Sequence, residues 1–309
     1  MKHVMQILQE AARTNGPLCI GLDTDPSYLP SSILKVFDSP CQAVLAYNRE
    51  LIKRAAQDKS ACCFKIQIAY YEAMGLDGLA AYKETLAAVK EYGFTAISDV
   101  KRGDIAATAG AYARAHFTGD FETDIITVNP YMGFDTLVPF AEYCAPAKGG
   151  KGLFVLLRTS NPGMTDIEQQ ELKTGGRVLD TVGAELERLS KQYAETYAGE
   201  TCSPVGAVVG CTEESDARML RNAYPDVFFL IPGYGAQGGA ARIAATLLDK
   251  AGGTVNSSRG ILCAWQKDKA LEKQRDEGVL CLADILESAQ KAALAAKDDL
   301  LQAKKVLGI

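Results

Sequence analysis

The stretch "ISDVKRGDIAATAGAYA", residues 97–113, changes character in its middle. It opens inside an apolar, strand-like run ("TAISDV", 95–100) and continues as an alanine-rich helix, with Asp99, Lys101 and Asp104 crowded into six positions at the junction. A solvated loop ahead of a helix accounts for Asp104, because carboxylates favour the first helical turn. It does not account for Asp99 and Lys101, which alternate with apolar residues on a segment that should point into protein. The same kind of junction recurs along the chain. Apolar, β-branched runs stand at "LCIGLD" (18–23), "CCFKIQIA" (62–69), "TAISDV" (95–100), "TDIITVN" (123–129), "GLFVLLR" (152–158), "VGAVVG" (205–210), "VFFLIPG" (227–233) and "GTVNSSR" (253–259). Between them lie patterns such as "LAAYKETLAAVKEYG" and "VLDTVGAELERLSKQYAETYAG", with apolar residues three and four apart. Eight strands alternating with helices predict a (β/α)8 barrel rather than an open doubly wound sheet, and 309 residues lie within its size range. No repeat, Pro-rich linker or low-complexity segment marks a second domain. Residues 1–309 therefore read as one barrel domain with polar loop insertions at about 161–176 and 264–278.

Composition narrows the function classes. The chain is 48% hydrophobic and 23% charged, with a net charge of -5, so it lacks the basic footprint of a nucleic-acid binder. No apolar run approaches the roughly 18 residues of a membrane span, and "MKHVMQILQEAARTNGP" reads as a short amphipathic helix rather than a signal peptide. Nine cysteines without a C-x-x-C spacing suit buried thiols in a reducing compartment, which points to the cytoplasm. Only His3 and His116 are available for histidine chemistry, which weakens Ser-His and His-zinc mechanisms.

Barrels of this kind draw catalytic groups from the C-terminal ends of several strands and the loops that follow. The polar residues there are Asp23 on the first strand, Lys65 on the second, Asp99 and Lys101 on the third, and Arg158 to Asn161 on the fifth. "GYGAQGG" follows the seventh strand and Arg259 the eighth. Lys65 lies within an apolar strand, which is costly without a partner, and Asp99 on the next strand is the natural one. Lys65, Asp99, Lys101 and Asp104 would then form a chain of alternating charge. Alone, D-x-K-x-x-D arises by chance in roughly one chain in fifteen of this length at average Asp and Lys usage. At a barrel strand end, beside a buried lysine, it is far more specific. Phosphate sites in such barrels are built by the loops after strands seven and eight, where the glycines of "PGYGAQGGA" allow close backbone approach and Arg259 offers a bidentate fork.

The set "GLDTDP", "FKIQIAYYE", "DVKRGDIAATAGAYA", "RTSNPG", "PGYGAQGG" and "NSSRG" resembles the orotidine 5'-phosphate decarboxylase family, in its longer bacterial form, over residues 18–260. The resemblance implies that Asp23 binds the ribose hydroxyls, that Lys65 belongs to the charged network, that Asp99 lies beside the substrate carboxylate and that Lys101 donates the proton. It implies a homodimer in which Asp104 and Thr108 reach the neighbouring subunit's site, with Ile105 beside them as a substrate contact. Ser160 would meet the pyrimidine, Pro162 wall the base, Gln237 bridge base and phosphate, and Arg259 grip the phosphate with Gly235, Gly238 and Gly239 of the loop. Orotidine 5'-phosphate and uridine 5'-phosphate are then the ligands, and no cofactor or metal is expected. The chain departs from compact members in Ser258, where they carry glycine, and in a long 161–203 connection.

The residues alone fit that chemistry. Loss of CO2 from pyrimidine C6 leaves a poorly delocalised carbanion, and an ammonium held there both stabilises and protonates it; flanking carboxylates favour its charged form. Two other readings stand beside it. Magnesium-dependent sugar-phosphate decarboxylases and synthases share the barrel and motif, but would need further carboxylates, for which Glu72 and Glu122 are the candidates. A non-catalytic nucleotide-phosphate-binding barrel would not need the complete charged chain. Tyr70, Tyr71 and Trp265 read as packing residues, at least one of Cys62 and Cys63 as an inert core thiol, and His116 as a surface or helix-end residue.

Overall fold

Strands covered by helices outside and filled by side chains inside read as continuous apolar runs, and each predicted run holds one strand. The computed structural model describes residues 2–234 and 240–309. Its strands are β1 (Leu18–Gly21), β2 (Cys63–Gln67), β3 (Thr95–Arg102), β4 (Ile125–Val128), β5 (Gly152–Arg158), β6 (Val205–Val209), β7 (Phe229–Ile231) and β8 (Gly253–Ser257). All pairs are parallel, in sequence order, and β8 closes on β1. Asp23 falls just past β1 instead of on it, and β3 runs on through Lys101 to Arg102.

Period two along the strands sorts the interior into layers. Cys19, Cys63, Ile97, Ile125, Phe154 and Leu230 make a buried apolar layer, and helix Val4–Asn15 closes that end of the barrel with Met5 and Leu8. Both Cys62 and Cys63 are core thiols, and all nine cysteines are free. One step further along the inner face come Gly21, Lys65, Asp99 and Thr127, so the barrel's closed end is apolar and its open end is charged.

The outer helices obey local rules. Helix Pro40–Asp58 starts with Ser39 accepting the Gln42 amide (3.3 Å) and proline in its first turn, and ends at Lys59 in the left-handed region. Between β4 and β5 the alternation shortens to a helix Val138–Ala141 flanked by 3-10 turns, where Pro139 and Pro146 interrupt any longer helix. The 161–176 stretch forms a 3-10 turn at Pro162–Asp166 and a bridge between Glu171 and Arg177. The 264–278 stretch folds into short turns and a helix Glu272–Asp276, anchored by buried Trp265, whose Nε1 donates to the Tyr28 carbonyl (3.0 Å). Tyr71 is core and Tyr70 packs beside Tyr28. His116 does end its helix, Ala106–Phe117, but it is buried rather than at the surface: its Nε2 accepts from Arg102 Nε (3.3 Å). No helix among the described residues is long and apolar enough to cross a membrane.

Candidate active site

Strand register builds the centre of the site. Gly21 pairs with Lys65 and Gln67 pairs with Asp99 across β1, β2 and β3, bringing a lysine and a carboxylate from neighbouring strands onto one inner face. Lys65 is only 5% exposed. Its Nζ donates to Asp99 Oδ2 (3.2 Å), as the sequence predicts, and also to Asp23 Oδ1 (2.9 Å). Lys101 Nζ donates to Asp99 Oδ1 (2.7 Å). Burial by itself would lower the Lys65 ammonium, but the carboxylates of Asp23 and Asp99 outweigh it and hold the group above its ordinary value. Burial would likewise raise Asp99, and Lys65 and Lys101, with hydrogen bonds from Lys101 and Thr127, instead keep it below the usual carboxylate range. The result is a row of alternating acidic and basic side chains, Asp23–Lys65–Asp99–Lys101. Buried at one end, it emerges at Lys101, whose side chain is 46% exposed.

Several residues without a sequence signal complete this row. Asp99 Oδ2 accepts a second bond from Gln67 Nε2 (3.0 Å) and Oδ1 a second from Thr127 Oγ1 (2.9 Å). Ser258, the departure from the compact pattern, donates to Asp23 Oδ2 (2.8 Å) and accepts from Asn256 Nδ2 (3.2 Å). A Cβ on Gly21 would fall on that Ser258 hydroxyl and crowd the Asn256 amide, so a larger residue where β1 passes β8 would displace the Ser258–Asp23 contact. The loop carrying Asp23 is braced by Thr24, Asn48 and Tyr71, linked by hydrogen bonds of 2.8 Å and ending on the Leu22 carbonyl.

A cavity of about 230 Å³ opens above the row, lined by Lys65, Asp99, Lys101, Thr127, Ser160 and Asn256 among others. Ser160 also borders a second cavity of about 230 Å³ with Cys211, Thr212, Pro232 and Tyr234. Other predicted positions are not drawn together within one chain. Asp104 accepts its neighbour Ile105's amide (2.8 Å) and forms no ion pair among the described residues, so the expected Lys101–Asp104 link is missing. Ile105 and Thr108 are exposed, and Pro162 and Arg259 are exposed outside the lining of the 230 Å³ cavity above the charged row. Gly235, Gln237, Gly238 and Gly239 lie outside the described residues. Arg158 is not free for a ligand: its buried guanidinium donates to Thr159 O (2.7 Å), Gly210 O (2.6 Å) and Asp216 (2.7 Å), pinning β5 to β6.

The carboxylates a magnesium mechanism would recruit stand elsewhere. Glu72 faces Arg102 (3.6 Å), and Glu122 pairs with Lys151 (2.9 Å) ahead of β4 and β5, at the opposite end of the barrel. Among the described residues no three His, Cys, Asp or Glu side chains are grouped as a metal site.

Residues 16–274 match the model of the "Orotidine 5'-phosphate decarboxylase / HUMPS family". An orotidine 5'-phosphate decarboxylase of Clostridium novyi is 49% identical over 275 residues, 89% of this chain and 93% of that protein. One of Clostridium perfringens strain 13 is 46% identical over 297 residues, 96% of this chain and 97% of that protein. Among solved structures, the Leishmania donovani OMP decarboxylase superposes with a TM-score of 0.67 at 26% identity, covering 97% of this chain and 99% of that one. The Plasmodium berghei enzyme gives 0.77 at 17% identity over 99% and 100%, a likeness of fold. With a family model spanning most of its length and relatives this similar from end to end, the chain belongs to the orotidine 5'-phosphate decarboxylase / HUMPS family.

Proposed function

We propose that this chain is a carboxy-lyase of pyrimidine biosynthesis that converts orotidine 5'-phosphate to uridine 5'-phosphate and CO2, with Lys101 as proton donor. The observation that carries the reading is the row Asp23–Lys65–Asp99–Lys101 facing a cavity at the C-terminal ends of the strands. With the substrate carboxylate beside Asp99, two like charges face each other. Rupture of the C6–carboxylate bond releases neutral CO2 and leaves the electron pair on C6. The Lys101 ammonium stabilises that carbanion and passes a proton from Nζ to C6; Lys101 is then reprotonated from water, which its exposed side chain reaches. An ion pair at 4 Å and an effective dielectric near 20 contributes about 4 kcal/mol, enough to matter in such a step. Lys65 does not react. It keeps Asp99 ionised and fixed, so the repulsion is directed at the substrate instead of relaxing by protonation.

In this reading Asp23 binds the ribose hydroxyls, Ser160 and Pro162 meet the pyrimidine, Gln237 bridges base and phosphate, and Arg259 holds the phosphate with Gly235, Gly238 and Gly239. The residues present call for no cofactor, and nine free thiols support a cytoplasmic location for this one-domain barrel. The active form is a homodimer in which Asp104, Ile105 and Thr108 complete the neighbour's site. Two features support it: Asp104 has no counter-ion in its own chain among the described residues, and Ile105, Tyr131 and Met132 expose apolar surface on the loops after β3 and β4.

The test is complementation. Asp104→Asn and Lys101→Ala subunits, each inactive alone, are mixed under conditions of verified subunit exchange. A hybrid dimer holds one site with neither lesion, so random pairing should restore about a quarter of wild-type activity. Exchange without recovery would place Asp104 outside the neighbour's site.

A further inference from the structure

We infer that Thr127 is a positioning residue for the decarboxylation: its hydroxyl locks the backbone at Lys101 to the Asp99 carboxylate and thereby aims the ammonium. Thr127 lies on the inner face of β4 and is 1% exposed. Its Oγ1 accepts the amides of Val100 (3.0 Å) and Lys101 (2.9 Å). A hydroxyl has two acceptor positions and one proton. With both positions filled, the proton has one place left to go, Asp99 Oδ1 at 2.9 Å, the same oxygen that receives Lys101 Nζ at 2.7 Å.

The backbone at this point needs such a clamp. The register of β3 against β4 shifts between Ser98 and Arg102, and Lys101 sits at φ +42°, a left-handed conformation that a long side chain rarely adopts. Such a conformation persists only where its surroundings over-determine it. Here two adjacent amides converge on one side-chain oxygen, where a regular ladder would give each a carbonyl of its own. On the far side of Asp99, Gln67 does the complementary work: its Oε1 accepts the Ala69 amide (3.3 Å), which directs its Nε2 to Asp99 Oδ2. The carboxylate is thus held by four donors, two per oxygen, and cannot rotate when Lys101 moves its proton. Packing alone would be met equally well by valine, which has the same shape and no hydroxyl; the hydrogen bonding is what distinguishes threonine at this position.

The inference rests on Lys101 being the proton donor, so Lys101→Ala is assayed alongside. Thr127→Val should lower kcat for orotidine 5'-phosphate by roughly tenfold to a hundredfold, since an ångström of misplacement costs on that order, with KM changed less than about threefold. Binding of uridine 5'-phosphate, which lacks the reacting carboxylate, should be unchanged. Thr127→Ser, which keeps the hydroxyl and loses a buried methyl, should return kcat to within about threefold of wild type while melting lower. A merely structural role would reverse that order, leaving valine the better substitute. Should the valine variant not fold, Thr127→Cys, whose thiol is a weak donor and acceptor, is read in the same way. Near-normal kcat in Thr127→Val or Thr127→Cys with Lys101→Ala inactive overturns the role of Thr127 and leaves the proton donor in place. Activity in Lys101→Ala overturns both.

Discussion

Two lysines bind the same carboxylate from opposite sides, and their burial predicts opposite consequences of removing them. Lys65 is 5% exposed and is shared by Asp23 and Asp99 at 2.9 and 3.2 Å. In Lys65→Met the alkyl volume remains and the charge goes, leaving two carboxylates crowded at the buried end of the site. Breaking a buried pair from one side costs about 3–5 kcal/mol. At about 2.1 cal/mol/K per residue, the unfolding entropy of a chain of 309 residues is near 0.65 kcal/mol/K, so the melting temperature should fall by about 5–8 °C. Lys101 pairs with Asp99 at 2.7 Å, but its side chain is 46% exposed, and such a pair contributes only about 0–1 kcal/mol to folding. Lys101→Ala should therefore melt within about 2 °C of wild type. Activity reverses the ranking of clean effects: Lys101→Ala should lose more than about a hundredfold in kcat, the minimum expected of a general acid, in a fully folded protein. The assays are thermal unfolding followed by circular dichroism and ultraviolet monitoring of orotidine 5'-phosphate loss. A Lys65→Met protein that melts like wild type would refute the energetic account of the charged row. A folded Lys101→Ala protein retaining more than about a hundredth of kcat would refute the chemical one.

Arg259 should act through a group that does not react. On the proposed phosphate role, Arg259→Ala would remove a charge-assisted contact of about 1.5–3 kcal/mol, so kcat/KM for the nucleotide should fall roughly tenfold to several hundredfold, while the poor reaction of orotidine lacking phosphate should barely change. Equal losses on both substrates would mean that Arg259 supports the fold and that the phosphate sits elsewhere on the rim. The histidines set an acid limit on stability. Burial pushes His3 down to about 4 against the partial opposition of its bond to the Cys202 carbonyl; burial and the Arg102 charge do the same to His116. Their folded values lie below the unfolded value near 6.5, so the unfolded chain binds more protons in between. This stability is complete above about pH 6.5 and is lost as pH falls toward 4, by about 2 kcal/mol per histidine at pH 5. Denaturation midpoints at pH 7.5 and 5.0 for wild type and for a His3→Asn, His116→Gln protein check this: an unchanged pH slope in the double variant would sink the assignment.

The eight strands, their alternation with helices and the motif at 99–104 could be read directly from the residues, because periodicity and turn chemistry are local properties of a chain. Lys65 was also legible as a site residue, since a lone cation in an apolar strand demands a carboxylate, and its neighbour strand supplied one. The second carboxylate, Asp23, lies past the end of β1 and meets Lys65 through the register of β1 on β2, while barrel closure lays β8 beside β1 and brings Ser258 onto the same carboxylate. Gln67 and Thr127 carry no signal in sequence: glutamine and threonine are common in strands, and only the pairing of Gln67 with Asp99 and the bulge at Lys101 give them their roles. His116 ends its helix, as the sequence suggests, but its burial is not legible there, because it comes from packing against residues on another element such as Arg102. Asp104 shows the same limit from the other side: the motif suggests a link to Lys101, and among the described residues it forms no ion pair. Sequence determines which segments form strands and helices and which charges must be neutralised. Which donor meets which acceptor is set by strand register and by closure of the barrel, both of which join residues far apart along the chain.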